Sequence, residues 1–117
     1  MLSTEMRHDG RTALVVMDNP RAHNTLSPEF WTDFPALLKD LEAQGVRSIV
    51  LTGAGERAFS AGGDLISFSR LTGYDDRRAY MAACFETFAA MERSGLIIIA
   101  AVNGMALGGG CELAFAS

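Results

Sequence analysis

The chain has 117 residues, with 10 Lys and Arg against 14 Asp and Glu and a formal net charge of −4. Its 49% hydrophobic and 21% charged residues are an ordinary globular composition, which excludes a disordered, collagen-like or coiled-coil state and suits one domain. The mild acidity lacks the basic footprint that nucleic acid or an anionic membrane surface selects, so neither is an expected partner.

The polar N-terminus, residues 1–11, has no apolar run of the kind a signal peptide needs. Residues 3–8 and 11–17 flank Asp9-Gly10 and predict a hairpin with a two-residue turn. Residues 18–26 read as a loop broken by Pro20 and Asn24. Ser27 and Pro28 then open a helix as N-cap and first helical residue. Its apolar positions Phe30, Trp31, Phe34, Leu37, Leu38 and Leu41 share one helical face. Pro35 removes a backbone hydrogen bond inside this pattern and predicts a kink or a break. Gly45 ends the helix, 46–52 reads as a buried strand, and 53–63 as a loop. Residues 64–68 fit a short helical turn, with Asp64 as its N-cap. Residues 75–93 fit a second long helix with Tyr80, Cys84, Phe88 and Met91 on one side. The apolar run 96–102 reads as a strand and is far too short to span a bilayer. A glycine-rich turn covers 104–110, and 111–116 starts a further helix. That helix has neither a C-cap glycine nor a tail, so residues 1–117 read as the N-terminal part of a single longer domain whose C-terminal part is absent. No sequence repeat or linker is visible.

Several residues invite a chemical reading. Residues 53–58 fit G-x-G-x-x-G/A after a strand, with Asp75 beyond them, but dinucleotide binding needs a helix to begin inside the motif. Phe59-Ser60-Ala61-Gly62-Gly63 is poor helix. His8 and His23 have no Cys or carboxylate at ligand spacing, so no metal site is expected. Cys84 and Cys111 make no disulfide framework and point to a reducing, cytoplasmic compartment. Cys111 lies near a helix start, where a thiol pKa can fall, yet without a His partner it reads as a small core residue.

Two segments carry more specificity: 58–65, AFSAGGDL, and 100–114, AAVNGMALGGGCELA. Both follow strands and run into helices. Backbone N–H groups at helix starts lack internal partners and carry the positive end of the dipole. Two such turns facing one point would cradle an oxyanion, and Glu112 beside them could act on a water or a C–H next to a polarised carbonyl. Each piece also has a structural reading. The glycines permit tight strand–helix packing, Glu112 favours a helix N-terminus, and Asn103 holds a turn.

At these two segments the chain resembles the enoyl-CoA hydratase/isomerase, or crotonase, family. Upstream, LVVMDNPRAHNTLSPEF resembles that family's opening strand, coenzyme A-binding loop and first helix start, so the likeness runs from about Ala13 to Ala116. The resemblance implies an α/β, crotonase-like spiral of β-β-α units, here its N-terminal part, and an acyl-CoA thioester substrate. No cofactor is implied beyond the coenzyme A of the substrate. It implies that the amides of Gly63 and Gly109 hold the thioester oxygen and that Glu112 is the first catalytic glutamate, acting with a second one on a water that adds to a 2-enoyl thioester of fatty acid metabolism. Ala22, His23, Thr25, Ala61, Gly62, Asp64 and Leu65 match regions that contact coenzyme A. The second glutamate would lie past Ser117, so the 117 residues alone are expected to show little or no hydratase activity. A homotrimer or hexamer is implied for the full-length protein. The sequence departs from the family at Ile98, near a usual proline, and at Ser117, where aspartate is common. Isomerase, thioester hydrolase, decarboxylase or dehalogenase chemistry stays open, as does a non-catalytic short paralogue that binds acyl-CoA or a partner subunit.

Overall fold

Alternation along two strands decides which way the sheet faces. In the computed structural model, which describes residues 1–117, β2 (Thr12–Met17) buries Ala13, Val15 and Met17, and β3 (Ser48–Gly53) buries Ile49, Leu51 and Gly53. The two strands are parallel and in register, Ala13 beside Ile49 and Val15 beside Leu51. All six residues therefore point to one face, as period-two geometry requires. The strand expected at 46–52 is thus fully covered on one face only.

The remaining elements follow in chain order. β1 (Leu2–Arg7) is an exposed edge strand antiparallel to β2, and a 3-10 turn spans Pro20–Ala22. α1 covers Phe30–Ala43, β4 Ala58–Ser60, α2 Leu65–Ser69 and α3 Tyr74–Arg93. β5 (Ile97–Ala100), β6 (Met105–Ala106) and α4 (Gly109–Phe115) complete the chain. One sheet has the order β1-β2-β3-β5, and a second pairs β4 with β6 in parallel. Successive strand–strand–helix turns therefore stack like onto like, which is the β-β-α spiral expected. The core lies between the first sheet and α1 and α3, around Phe30, Phe34, Leu38, Met17 and Leu51. Phe30 and Phe34 stack at 5.2 Å. No helix is long and apolar enough to cross a membrane.

Four expectations need correction. The hairpin turn has four residues, because Arg7 pairs with Thr12 while His8, Asp9 and Gly10 all take positive φ. Helix α1 starts at Phe30. Ser27 contributes its carbonyl, bonded by Phe30 N at 3.0 Å, and its side chain makes no cap. The expected loop 53–63 contains β4, and the expected glycine turn 104–110 contains β6 and the first residues of α4. These short strands form by pairing with each other, a long-range contact that local composition does not announce.

The fourth correction concerns Pro35, which neither breaks nor ends α1. A residue there with an N–H would donate to the carbonyl of Trp31. Instead the hydroxyl of Thr87, fully buried on α3, lies 2.9 Å from that carbonyl and 2.9 Å from the Ala83 carbonyl. A neighbouring helix thus supplies the donor that the proline removed. Thr87→Val should cost about 1–3 kcal/mol, the usual penalty for orphaning a buried polar group. In a Pro35→Ala background, where the restored backbone N–H can donate to the Trp31 carbonyl, the same substitution should cost less. Urea unfolding of the four proteins measures the coupling, and additive costs would refute this role for Thr87.

Candidate active site

The segment after β4 is shaped by one backbone bridge. Leu26 N donates to Gly62 O at 2.8 Å, and Asp64 N donates to Leu26 O at 3.0 Å. In extended backbone, consecutive residues send their N–H groups to opposite sides. Gly63, between the two bonded groups, therefore turns its N–H away from Leu26, and that amide donates to nothing in the chain. Gly62, at φ +91°, makes the preceding bend, where a Cβ would stand 2.7 Å from the Leu107 carbonyl.

The second turn comes from β6. Leu107 N donates to Ser60 O at 3.0 Å, Gly108 bends the chain at φ 48°, and α4 begins at Gly109. As the first helical residue, Gly109 has no acceptor for its N–H within the helix, and none outside it. A Cβ on Gly109 would stand 3.6 Å from Gly63 N, so the two residues with free amides are close neighbours. Gly110 lets α4 press onto β4, since a Cβ there would collide with the Ser60 carbonyl.

Both glycines line a cavity of about 210 Å³ between α2, α3 and α4, which Trp31, Tyr80, Cys84 and Glu112 also line. A second groove, about 460 Å³, runs past Asn19, Ala22, Thr25 and Ala61 and shares Gly63, Asp64 and Leu65 with the first. The structure thus brings Gly63, Gly109 and Glu112 together, and joins Ala22, Thr25, Ala61, Asp64 and Leu65 to them through Gly63. Two of the expected residues stand apart. His23 lines a separate pocket beneath residues 54–58 and reaches the groove only through its carbonyl, which accepts from Ala61 N at 3.0 Å. Gly62 lines neither cavity, and its amide donates to Ser60 Oγ at 3.1 Å.

The two carboxylates at the cavity differ in kind. Asp64 caps α2, accepting from Ile66 N, Ser67 N and Ser67 Oγ. The Ser67 hydroxyl and amide hold its carboxyl below the usual range, so it stays ionised and committed to the cap. Glu112 is exposed at the cavity's edge, and its carboxylate makes no hydrogen bond or ion pair. Its charge is felt inside. Burial, and then Glu112, push the Cys84 thiol up to about 11. Cys111 is half-buried and outside the cavity, and both thiols are free. No three His, Cys, Asp or Glu side chains converge at metal-binding distance.

Two asparagines hold the frame. Asn103 braces a turn, as expected. Its Oδ1 accepts from Gly53 N at 3.0 Å, and its Nδ2 donates to the carbonyls of Gly53 and Gly55. Asn24, read from the sequence only as a loop breaker, is fully buried and donates to the carbonyls of Ala54 and Ala58. Residues 53–58 are therefore a clamped connection into β4 rather than the strand-to-helix turn a dinucleotide fingerprint needs.

A spiral of β-β-α turns thus places two glycines with free amides beside one cavity. The family model for enoyl-CoA hydratase/isomerase matches residues 8–117, and the chain belongs to that family. It is 33% identical over 110 residues to the short-chain-enoyl-CoA hydratase of Clostridium acetobutylicum, covering 93% of this chain and 42% of that protein. It is 34% identical over 112 residues to the fatty acid oxidation complex subunit alpha of Shewanella loihica, covering 94% of this chain and 16% of that one. Among solved structures, an enoyl-CoA hydratase from Bacillus anthracis superposes with a TM-score of 0.88 at 31% identity, over 98% of this chain and 44% of that chain. DspI of Pseudomonas aeruginosa gives 0.83 at 37%, over 98% and 43%. The chain thus spans less than half the length of each of these relatives.

The raised Cys84 pKa has a pH consequence. Between the unfolded thiol pKa near 9 and the folded value of about 11, the unfolded chain has lost a proton that the folded chain keeps. Stability present below pH 9 should therefore fall as pH rises across that window. Cys84→Ala should flatten this part of a stability–pH profile, and Glu112→Gln should narrow the window by lowering the folded value. An unchanged thiolate absorbance titration in Glu112→Gln would place Glu112 too far from Cys84 to act on it.

Proposed function

We infer that this site is the thioester-holding part of an enzyme that adds water to 2-enoyl-CoA. The convergence of the unpaired Gly63 and Gly109 amides beside Glu112 carries the reading. The thioester oxygen sits between the two amides, and the groove past Ala22, Thr25, Ala61 and Leu65 takes the coenzyme A arm. When the oxygen of water bonds to C3, the C2=C3 electrons move toward the carbonyl and negative charge grows on its oxygen. Fixed amide dipoles stabilise that charge without reorganising, and one such donor contributes about 2.7–4 kcal/mol in comparable sites. Glu112 takes the proton of the attacking water as its oxygen bonds to C3, and delivery of that proton to C2 completes the addition and returns Glu112 to its carboxylate form. Its unpaired carboxylate favours hydration over the family's isomerase chemistry.

A second carboxylate acting with Glu112 has no candidate among the cavity's residues, because Asp64 is committed to its cap. That observation favours acyl-CoA binding with little turnover for residues 1–117 by themselves. The complete enzyme is read as a homotrimer or hexamer that works in the cytoplasm and needs no cofactor beyond the substrate's own coenzyme A.

The test uses the protein expressed from its native gene. Glu112→Gln should lower hydration of crotonyl-CoA, followed by loss of the enoyl absorbance, by about 10²–10⁴-fold. Calorimetric affinity for butyryl-CoA should stay near the parent's. Parental turnover in this variant would remove Glu112 from the mechanism. No binding of butyryl-CoA by the parent would overturn the thioester reading itself.

A further inference from the structure

We propose that the Tyr80 hydroxyl is a third hydrogen-bond donor to the thioester oxygen, alongside the Gly63 and Gly109 amides; this rests on the thioester reading of the cavity. Tyr80 stands on α3 and lines the same cavity as Gly63, Gly109 and Glu112. Its hydroxyl oxygen accepts the indole N–H of Trp31 at 3.1 Å, and this is the only hydrogen bond the group makes. A phenol carries one proton to give as well as lone pairs to receive. Here one lone pair is occupied and the proton has no acceptor in the chain.

The position of that proton's owner matters. The hydroxyl oxygen lies 3.1 Å from where a Cβ on Gly63 would stand. That point and the Gly63 amide nitrogen are bonded to the same Cα and lie about 2.5 Å apart by standard geometry. The hydroxyl is therefore within about 5.6 Å of the amide. Two donors at that separation can share one acceptor at about 2.9 Å from each. Gly109 also lies close to that amide, a Cβ on it standing 3.6 Å from the Gly63 nitrogen, so the three donors border one region of the cavity. A glycine at 63 keeps this space open, since a side chain there would press against the hydroxyl.

The surroundings suit a donor. The Phe68 ring meets Tyr80 edge-on at 5.3 Å, and the Trp31 bond holds the oxygen, so the hydroxyl is fixed before any ligand arrives. Accepting from an indole N–H polarises the O–H and strengthens it as a donor. Burial raises the phenol above its ordinary pKa, which keeps the proton in place.

The experiment compares parent and Tyr80→Phe protein, each expressed from the native gene. Three quantities are read: kcat on crotonyl-CoA, affinity for butyryl-CoA, and affinity for acetoacetyl-CoA as its enolate, seen by near-ultraviolet absorbance. The enolate places full charge on the oxygen that the saturated thioester leaves neutral. Tyr80→Phe should lower kcat and enolate affinity together by at least about tenfold, with butyryl-CoA affinity and KM within about threefold of the parent. Equal kcat and enolate affinity in an active parent and variant would overturn the Tyr80 role and leave the thioester reading standing. Equal losses for all three quantities would also overturn it, as the mark of a structural role. A parent that binds neither thioester would overturn both. Because Tyr80→Phe leaves the Trp31 N–H without its acceptor, 3-fluorotyrosine incorporation provides a second variant that keeps every contact. The other tyrosine, Tyr74, is 76% exposed and outside the cavity. The more acidic phenol should bind the enolate more tightly than the parent, and unchanged or weaker enolate binding would count against the proposal.

Discussion

The backbone of Ser60 is where the structure is most constrained. Its carbonyl accepts from Leu107, its hydroxyl accepts from Gly62, and Gly110 lies so close that only a hydrogen fits in place of a side chain. One fully buried residue thus ties the end of β4, the turn after β6 and the start of α4 together. The distance between the Gly63 and Gly109 amides follows from that knot. Loosening it by an ångström would separate the two N–H groups of the proposed cradle, and electrostatic stabilisation depends on such pre-set geometry.

Further out, the knot is held by side chains that copy backbone. Asn103 uses both ends of its amide on Gly53, the pairing pattern a neighbouring strand would offer. Asn24 donates to the carbonyls of Ala54 and Ala58 across the same connection. Burying an amide without partners would cost a few kcal/mol, on the order of 1–3. Every buried side-chain polar atom in the chain has a partner. The segment between β3 and β4 is therefore rigid although it is neither helix nor strand, and a rigid segment is what β4 needs to present Ser60 to α4.

These dependencies explain which features are legible in the sequence. The α1 stripe, the Asp64 cap, the Gly45 stop and the two glycine turns depend on residues near in sequence, and each is readable in kind. Strands β4 and β6 depend on one another across more than forty residues, so nothing local marks them. Pro35 argues for a break, and only the hydroxyl of Thr87 on another helix cancels that argument. Asn24 looks like a loop residue because the carbonyls it donates to are thirty or more positions away. Spacing alone puts Tyr80 on the inner side of α3, but its hydroxyl carries information only when the cavity and Trp31 are seen beside it. The spiral itself repeats in space without repeating in sequence. Each turn meets different neighbours and therefore needs different side chains for the same backbone path.

A site built on amides is robust in one respect and fragile in another. No substitution short of proline removes a backbone N–H, so Gly63 and Gly109 keep their donors through most changes of side chain. What can be lost is their aim, and the aim is set by Ser60, Gly110, Asn103 and Asn24, none of which has a chemical role in the proposed addition of water. Side-chain donors have the opposite vulnerability. The hydroxyl of Tyr80 disappears with a single oxygen, while its position is insured by the packing of Phe68 and the Trp31 bond. A site combining both kinds gains tolerance from the backbone pair and adjustability from the side chain. Variation in activity among proteins of this architecture should then arise at positions such as 80 and 112 more readily than at the glycines.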